Sequence, residues 1–298
     1  MLSNIFAISA LLCSTGVEPS NIVITSDTYD WAAGYVEGYT IHESCNATQT
    51  SMLSRALGEL GVLATHAKEH LLYHGNQSEI VLKYFGGGPT AEAVGWYERI
   101  VRANKSGVLF RCDDPDLNCE TQDSWGGHWR GENATLETVI CDLSFIERYP
   151  LEAMCGFGFT VASSPSNFYF ASDLMHRVLH VPAISQGVVE HFAEDYSEVL
   201  ALSDESPEHA LRDSDTLQYF ALEAYAYDVA VPGEGCPGEP PVETTSTVEA
   251  ASAAETTSEA ETTSEAETTS EAETTSEAET TSEAVSCHTH DDGEVHCV

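Results

Sequence analysis

The chain predicts a mainly helical α+β domain followed by a disordered C-terminal tail. Three observations carry this. Leu53, Leu57, Leu60, Ala64, Ala67 and Leu71 repeat at helical spacing within residues 50–73. Gly107-Val-Leu-Phe-Arg-Cys112 and Thr138-Val-Ile-Cys-Asp-Leu143 are short runs of strand-forming residues. Residues 255–284 are five hexads of Glu-Thr-Thr-Ser-Glu-Ala, a repeat with no apolar face to bury and therefore no core.

The elements follow in chain order. The apolar run Ile5-Phe-Ala-Ile-Ser-Ala-Leu-Leu12 is too short to span a bilayer and precedes small residues, so residues 1–16 read as a secretory signal, although no Lys or Arg leads it. An extended arm is expected over 17–30, within a domain running from 17 to 236. The helix at 50–73 carries His66, His70 and His74 on one stripe, which reads as a solvated face, with a metal site as the alternative. A second helix is expected over 91–103, then the two strands, in a small antiparallel sheet. A helix over 168–181 should stop at Pro182, and two more are expected near 188–202 and 214–228. Residues 237–286 form a Ser/Thr/Glu-rich stalk that, drawn out at about 3 Å per residue, would reach roughly 100 Å.

Cleavage after Gly16 would remove Cys13 and leave eight of the nine cysteines, an even number that suits disulfides in an oxidising compartment. Four sequons, at Asn46, Asn76, Asn104 and Asn133, predict a glycoprotein on the same route. No second apolar segment follows, so neither a transmembrane helix nor a lipid-anchor signal is expected. The formal charge of −38 excludes nucleic acid and anionic lipid as partners.

Two histidine-rich motifs carry chemistry. His176-Arg-Val-Leu-His180 places two imidazoles at i, i+4 on one helix face, able to grip a single Zn²⁺. Gly187-Val-Val-Glu-His191 offers a third. The second motif, residues 287–298, begins Cys287-His-Thr-His-Asp-Asp-Gly-Glu-Val-His-Cys297. His288, His290 and His296 would ligate a further zinc, with Cys287 and Cys297 either as thiolate ligands or joined as a disulfide. In the disulfide form Asp291, Asp292 or Glu294 would complete the shell. In HExxH peptidases a Glu takes a proton from metal-bound water. Arg177 stands in that place and, always protonated, cannot do so. Glu190 and Asp195 are the candidate bases if the protein hydrolyses anything, with Glu194 a further carboxylate nearby.

These motifs, together with Tyr225-Ala-Tyr-Asp-Val-Ala-Val-Pro-Gly-Glu-Gly-Cys236, resemble the fungal zincophore proteins, also called pH-regulated antigens. That family is in turn similar to the deuterolysins, the aspzincin metallopeptidases. The resemblance implies an aspzincin-like zincin domain with His191 replacing the third-ligand Asp and Arg177 the catalytic Glu. It implies the disulfides Cys45–Cys112, Cys119–Cys141 and Cys155–Cys236; spacing alone leaves fifteen pairings of those six cysteines. Asp215-Thr-Leu-Gln-Tyr219 resembles the Tyr-bearing helix of the deuterolysin fold, so Tyr219, Tyr225 and Tyr227 are expected at the zinc cleft. The expected function is that of a secreted, cell-wall zincophore. It would scavenge zinc and deliver it to a plasma-membrane zinc transporter, and would also bind host complement regulators. A homo-oligomer is left open. The alternative is a secreted zinc metallopeptidase with an unusual base.

Overall fold

The structure, a computed structural model, describes residues 32–122 and 124–239, and the backbone of two short strands at the C-terminus. The signal, most of the N-terminal arm, the hexad repeat and the loop bearing His290, Asp291, Asp292 and Glu294 lie outside the described residues. Residues 32–35 cluster apart from the remainder and form a turn closed by the Tyr35 amide donating to the Ala32 carbonyl (2.9 Å).

After β1 (Thr40–Ile41), α1 runs over Ala47–His74. Its start is written locally. Asn46 Oδ1 accepts from the amides of Thr48 and Gln49, and the Gln49 side chain accepts from the Asn46 amide, a reciprocal capping box. Leu53, Ala56, Leu60, Leu63, Ala64, Ala67 and Leu71 form its buried stripe. α2 (Glu79–Phe85) and α3 (Ala91–Arg102) follow, then β2 (Leu109–Arg111), α4 (Asn118–Thr121), β3 (Gly127–Trp129), β4 (Glu137–Ile140) and α5 (Asp142–Glu147). The second half holds α6 (Phe170–Leu179), α7 (Pro182–Ser185), α8 (Tyr196–Glu205), α9 (Pro207–Ala210) and α10 (Ser214–Tyr225). α10 passes directly into a π-helical segment, Ala226–Ala230. α1 packs against α3, α6 and α10, and so forms the spine of one continuous core.

Three expectations are corrected. The sheet is mixed rather than antiparallel. Its order is β1-β2-β4-β3, with β1–β2 and β2–β4 parallel and only β3–β4 antiparallel. A parallel partner needs a long crossover, which α1–α3 supply between β1 and β2. Residues 188–195 are not helical. Gly187 turns the chain at φ +66°, Glu190 bridges to Asp213, and α8 begins only after Asp195, whose carboxylate accepts from the Glu198 amide as N-cap. The stripe of His66, His70 and His74 is not uniformly solvated, since His70 is buried among core residues.

The disulfides are Cys45–Cys112, Cys119–Cys141 and Cys155–Cys236. Beyond Cys236 the chain stays on the domain: the Cys236 and Pro237 carbonyls accept from the amides of Val161 and Ala162, and Ser163 Oγ donates to the Glu239 carbonyl. Asn46, Asn76, Asn104 and Asn133 are all exposed. At Asn46 the cap uses Oδ1, which leaves Nδ2 available to a glycan. No helix among the described residues is long and apolar enough to cross a membrane. At the C-terminus β5 (Cys287–Thr289) and β6 (Val295–Cys297) pair antiparallel, setting Cys287 opposite Cys297 and His288 opposite His296.

Candidate metal centre

His176 and His180 stand one turn apart at the end of α6, and the loop after Gly187 brings His191 back to them. His180 Nε2 lies 3.2 Å from His176 Nε2 and 3.0 Å from His191 Nε2. The three residues are half-buried as wholes, and the His191 side chain is 1% exposed.

The surroundings decide which nitrogens carry hydrogen. The Gln218 amide donates to the Ser172 carbonyl (2.9 Å), which turns its Oε1 toward His176 Nδ1 at 3.1 Å. His176 Nδ1 therefore donates, and its Nε2 is a bare lone pair. His191 Nδ1 lies 3.2 Å from both Asp215 Oδ2 and Ser214 Oγ, which turns its Nε2 toward His180. His176 Nε2 and His191 Nε2 thus converge on His180 Nε2, so that three imidazole nitrogens face one point. A single cation at that point would be within reach of all three. A tetrahedral ion with bonds of about 2.0 Å needs ligand atoms roughly 3.3 Å apart, close to the observed separations. Burial, with the neighbouring His180, His191 and Arg177 adding to it, pushes the His176 pKa well down, so the ring is held neutral as a ligand must be. Residues and charge state thus fit a first-row divalent metal.

The outer groups come from α10. Asp215 is fully buried and accepts from Ser166 Oγ as well as facing His191. Such a carboxylate orients a ligating imidazole and raises its basicity. Burial pushes Asp213 and Asp215 up to about 7. Asp213 is tied down as the N-cap of α10 and by the amides of Phe192 and Ala193, so it anchors the loop that carries His191. Gln218 and Asp215 escape a search for ligands in the sequence, because an outer-shell role leaves no spacing signature.

No base occupies the position after His176. Arg177 is buried and paired with Asp173, Nη2 to Oδ1 at 2.9 Å. The guanidinium packs against the backbone of Gly126 and Gly127, where a Cβ at Gly127 would lie 2.8 Å from Nη1. Of the candidate bases, Asp195 is committed to capping α8 and accepting from Ser197 Oγ, and Glu190 is exposed. Glu194 is half-buried at the same loop, and Glu194 and Asp195 both act electrostatically on Asp215. Tyr219 is buried on α10, donating to the Ser164 carbonyl and packing edge-on to Tyr196. Tyr225 meets His66 instead of the centre, and Tyr227 is exposed. At 1.5 Å per residue, Tyr225 sits roughly 15 Å along α10 from Asp215.

The fold and the site together define a helical, disulfide-bonded domain with a three-histidine cluster in which Arg177 stands where HExxH peptidases carry Glu. The chain belongs to the HRXXH family, described as a "putative peptidase family", which it matches over residues 2–239. It is 56% identical to Major allergen Asp f 2 of Aspergillus fumigatus over 271 residues, 90% of this chain and 87% of that one. It is 48% identical to pH-regulated antigen PRA1 of Candida albicans over 212 residues, 71% of each chain. To Protein ZPS1 of Saccharomyces cerevisiae it is 34% identical over 201 residues, 67% of this chain and 79% of that one. Among solved structures it is similar to a zinc peptidase from Grifola frondosa at 14% identity and a TM-score of 0.45, over 61% of this chain and 99% of that one, a likeness too slight to carry an argument.

Proposed function

We propose that this protein is an extracellular zincophore. It binds zinc at His176, His180 and His191 and at the terminal Cys/His cluster, and hands it to a plasma-membrane zinc transporter. The observation that carries this is the convergence of His176 Nε2 and His191 Nε2 on His180 Nε2, 3.2 and 3.0 Å away, in a site with Arg177 where a hydrolase needs a carboxylate. Imidazole selects zinc over the oxygen-seeking cations of extracellular fluid. The three disulfides belong to an oxidising compartment, and the allergen and antigen names of its relatives accord with exposure outside the cell. Zinc is cargo in this reading, so the two sites divide the work. The domain centre sits between α6 and the loop anchored to α10, while residues 287–298 lie past the hexad repeat in sequence.

Two measurements test this. Native mass spectrometry should give fewer zinc ions for a chain ending at Cys236 than for the full chain. Cells secreting a chain that ends at Ala284 should grow less well in zinc-limited medium than cells secreting the whole protein. Equal growth would sink the delivery role of the terminal cluster. Robust metal-dependent peptide cleavage, lost on mutating His191, would replace the zincophore reading with a peptidase.

A further inference from the structure

A second convergence of ligand-type side chains lies away from the three-histidine centre, where α1 meets the π-helical segment. His66 Nε2 stands 3.0 Å and His70 Nδ1 2.6 Å from the same oxygen, Asp228 Oδ2. From these residues we infer a second, independent divalent-metal site in the domain, formed by His66, His70 and Asp228 and selective for zinc-like ions.

Each part of the local structure serves that geometry. His66 and His70 are i, i+4 on α1 and face α10. Asp228 is the third residue of the π-turn, a wider turn that recurs at functional sites because it redirects a side chain that a continuing α-helix would aim elsewhere. The π-turn is held by the Val231 amide donating to the Ala226 carbonyl and the Gly233 amide to the Tyr227 carbonyl, and Cys236 is then tied to Cys155. Tyr225 packs edge-on to the His66 ring at 5.6 Å, and His74 lies one further turn along with its ring 4.7 Å from that of His70.

The outer contacts resemble those of the first centre. His70 Nε2 is 2.8 Å from Ser78 Oγ, whose oxygen also accepts from the Val81 amide. With Nε2–H donating to Ser78, neutral His70 turns its Nδ1 lone pair on the carboxylate, an arrangement that a metal ion or a second ring proton between them makes favourable. The alternative tautomer makes the cluster a plain hydrogen-bonded clamp, and the experiment separates the two. An ion with bonds of about 2.0 Å would part Nδ1 and Oδ2 by less than about 1 Å. His66 and Asp228 keep 21% and 24% of their side-chain surface, so the site opens to solvent while His70, at 3%, anchors it. Two imidazoles with one carboxylate favour zinc over calcium or magnesium. A third grouping, Cys119, His128 and Cys141, offers no such site, because its two sulfurs are joined as a disulfide.

The test is zinc stoichiometry of the full-length chain by native mass spectrometry, with Asp228→Asn and His66→Ala compared to wild type. Asp228→Asn keeps size and one acceptor oxygen while removing the charge a metal needs. Each variant should lose one equivalent of zinc with an unchanged near-ultraviolet circular dichroism spectrum. A His176→Ala/His180→Ala double variant should lose a different equivalent and keep this one, so failure of either site is seen separately. Folded variants with wild-type stoichiometry overturn the proposal. If either substitution disturbs folding, carbethoxylation of the wild-type chain decides: His66 should be protected from diethylpyrocarbonate by added zinc, and equal modification with and without zinc overturns the site.

Discussion

At the scale of single residues, the candidate centre joins three imidazoles to Gln218 and Asp215 on α10. His180→Ala should cost roughly 100-fold or more in zinc affinity, whereas Asp215→Asn, which removes only the carboxylate behind His191, should cost roughly 10–100-fold. Competition against a chromophoric chelator measures both, and equal losses would mean that Asp215 is itself a ligand. Arg177 shows why a motif-level repair fails. Arg177→Glu would place a second carboxylate beside Asp173, which is only 1% exposed, and break the buried pair between them. Removing one partner of such a pair costs about 3–5 kcal/mol. A large drop in melting temperature without peptidase turnover is therefore expected, and an active, stable variant would contradict the placement of this side chain.

His128 gives a pH dependence of definite sign. Burial lowers its pKa below 6.5 despite its bond to Asp116. Between the folded and unfolded values the unfolded chain binds the extra proton, so stability contributed by this ring falls as pH drops below 6.5. Urea titrations at pH 5 and 7 should show a smaller acid loss for His128→Asn than for wild type. The buried Asp213–Asp215 pair, raised to about 7, acts in the opposite sense, and the variant comparison removes it from the difference.

At the scale of elements, α10 organises the domain. Its first turn holds His191 through Asp215 and its second holds His176 through Gln218, while its far end delivers Tyr225 and Asp228 to α1. Nearly every residue of α10 is buried, including Asp215, Thr216 and Gln218, and these polar groups are hydrogen-bonded. β3 has a similar dual role, since it pairs with β4 and backs Arg177. A methyl at Gly127 would collide with the Val139 carbonyl oxygen and crowd the guanidinium. Gly127→Ala should cost about 1–3 kcal/mol in denaturant unfolding; no loss would show that β3 has room to move.

At the scale of the whole molecule, the disulfide Cys155–Cys236 spans 81 residues and encloses α6 to α10, with Asp215, Gln218 and Asp228 inside the loop. Cross-links of that length contribute about 2–5 kcal/mol in small secreted domains. A Cys155→Ala/Cys236→Ala chain should unfold at lower denaturant and bind zinc more weakly; unchanged binding with lowered stability would show that the bridge serves folding alone.

Much of this was legible in the sequence. Apolar spacing located α1 and α3, because each buries one face and its period records that. The i, i+4 histidines at 176 and 180 share a face by helix geometry alone, and His191 is the next imidazole along the chain. The sheet's mixed topology was not legible, because β2 and β4 alternate alike whichever way a neighbour runs. The segment 188–195 reads as helix by composition, and is overruled by Gly187, the Glu190–Asp213 bridge and the Asp195 cap.

The chain by itself determined the helical character of the domain, the placing of His176 and His180 on one helix face and the standing of Arg177 between them, since each is a matter of which residues stand at which spacing. Only the tertiary structure decided that His191 meets His176 and His180, that Asp215 and Gln218 stand behind these rings, that Arg177 is turned to Asp173 and β3, and that Asp228 crosses 158 residues of sequence to meet His70. Those outcomes depend on partners brought together by packing, and local spacing carries no record of a partner that arrives from another element.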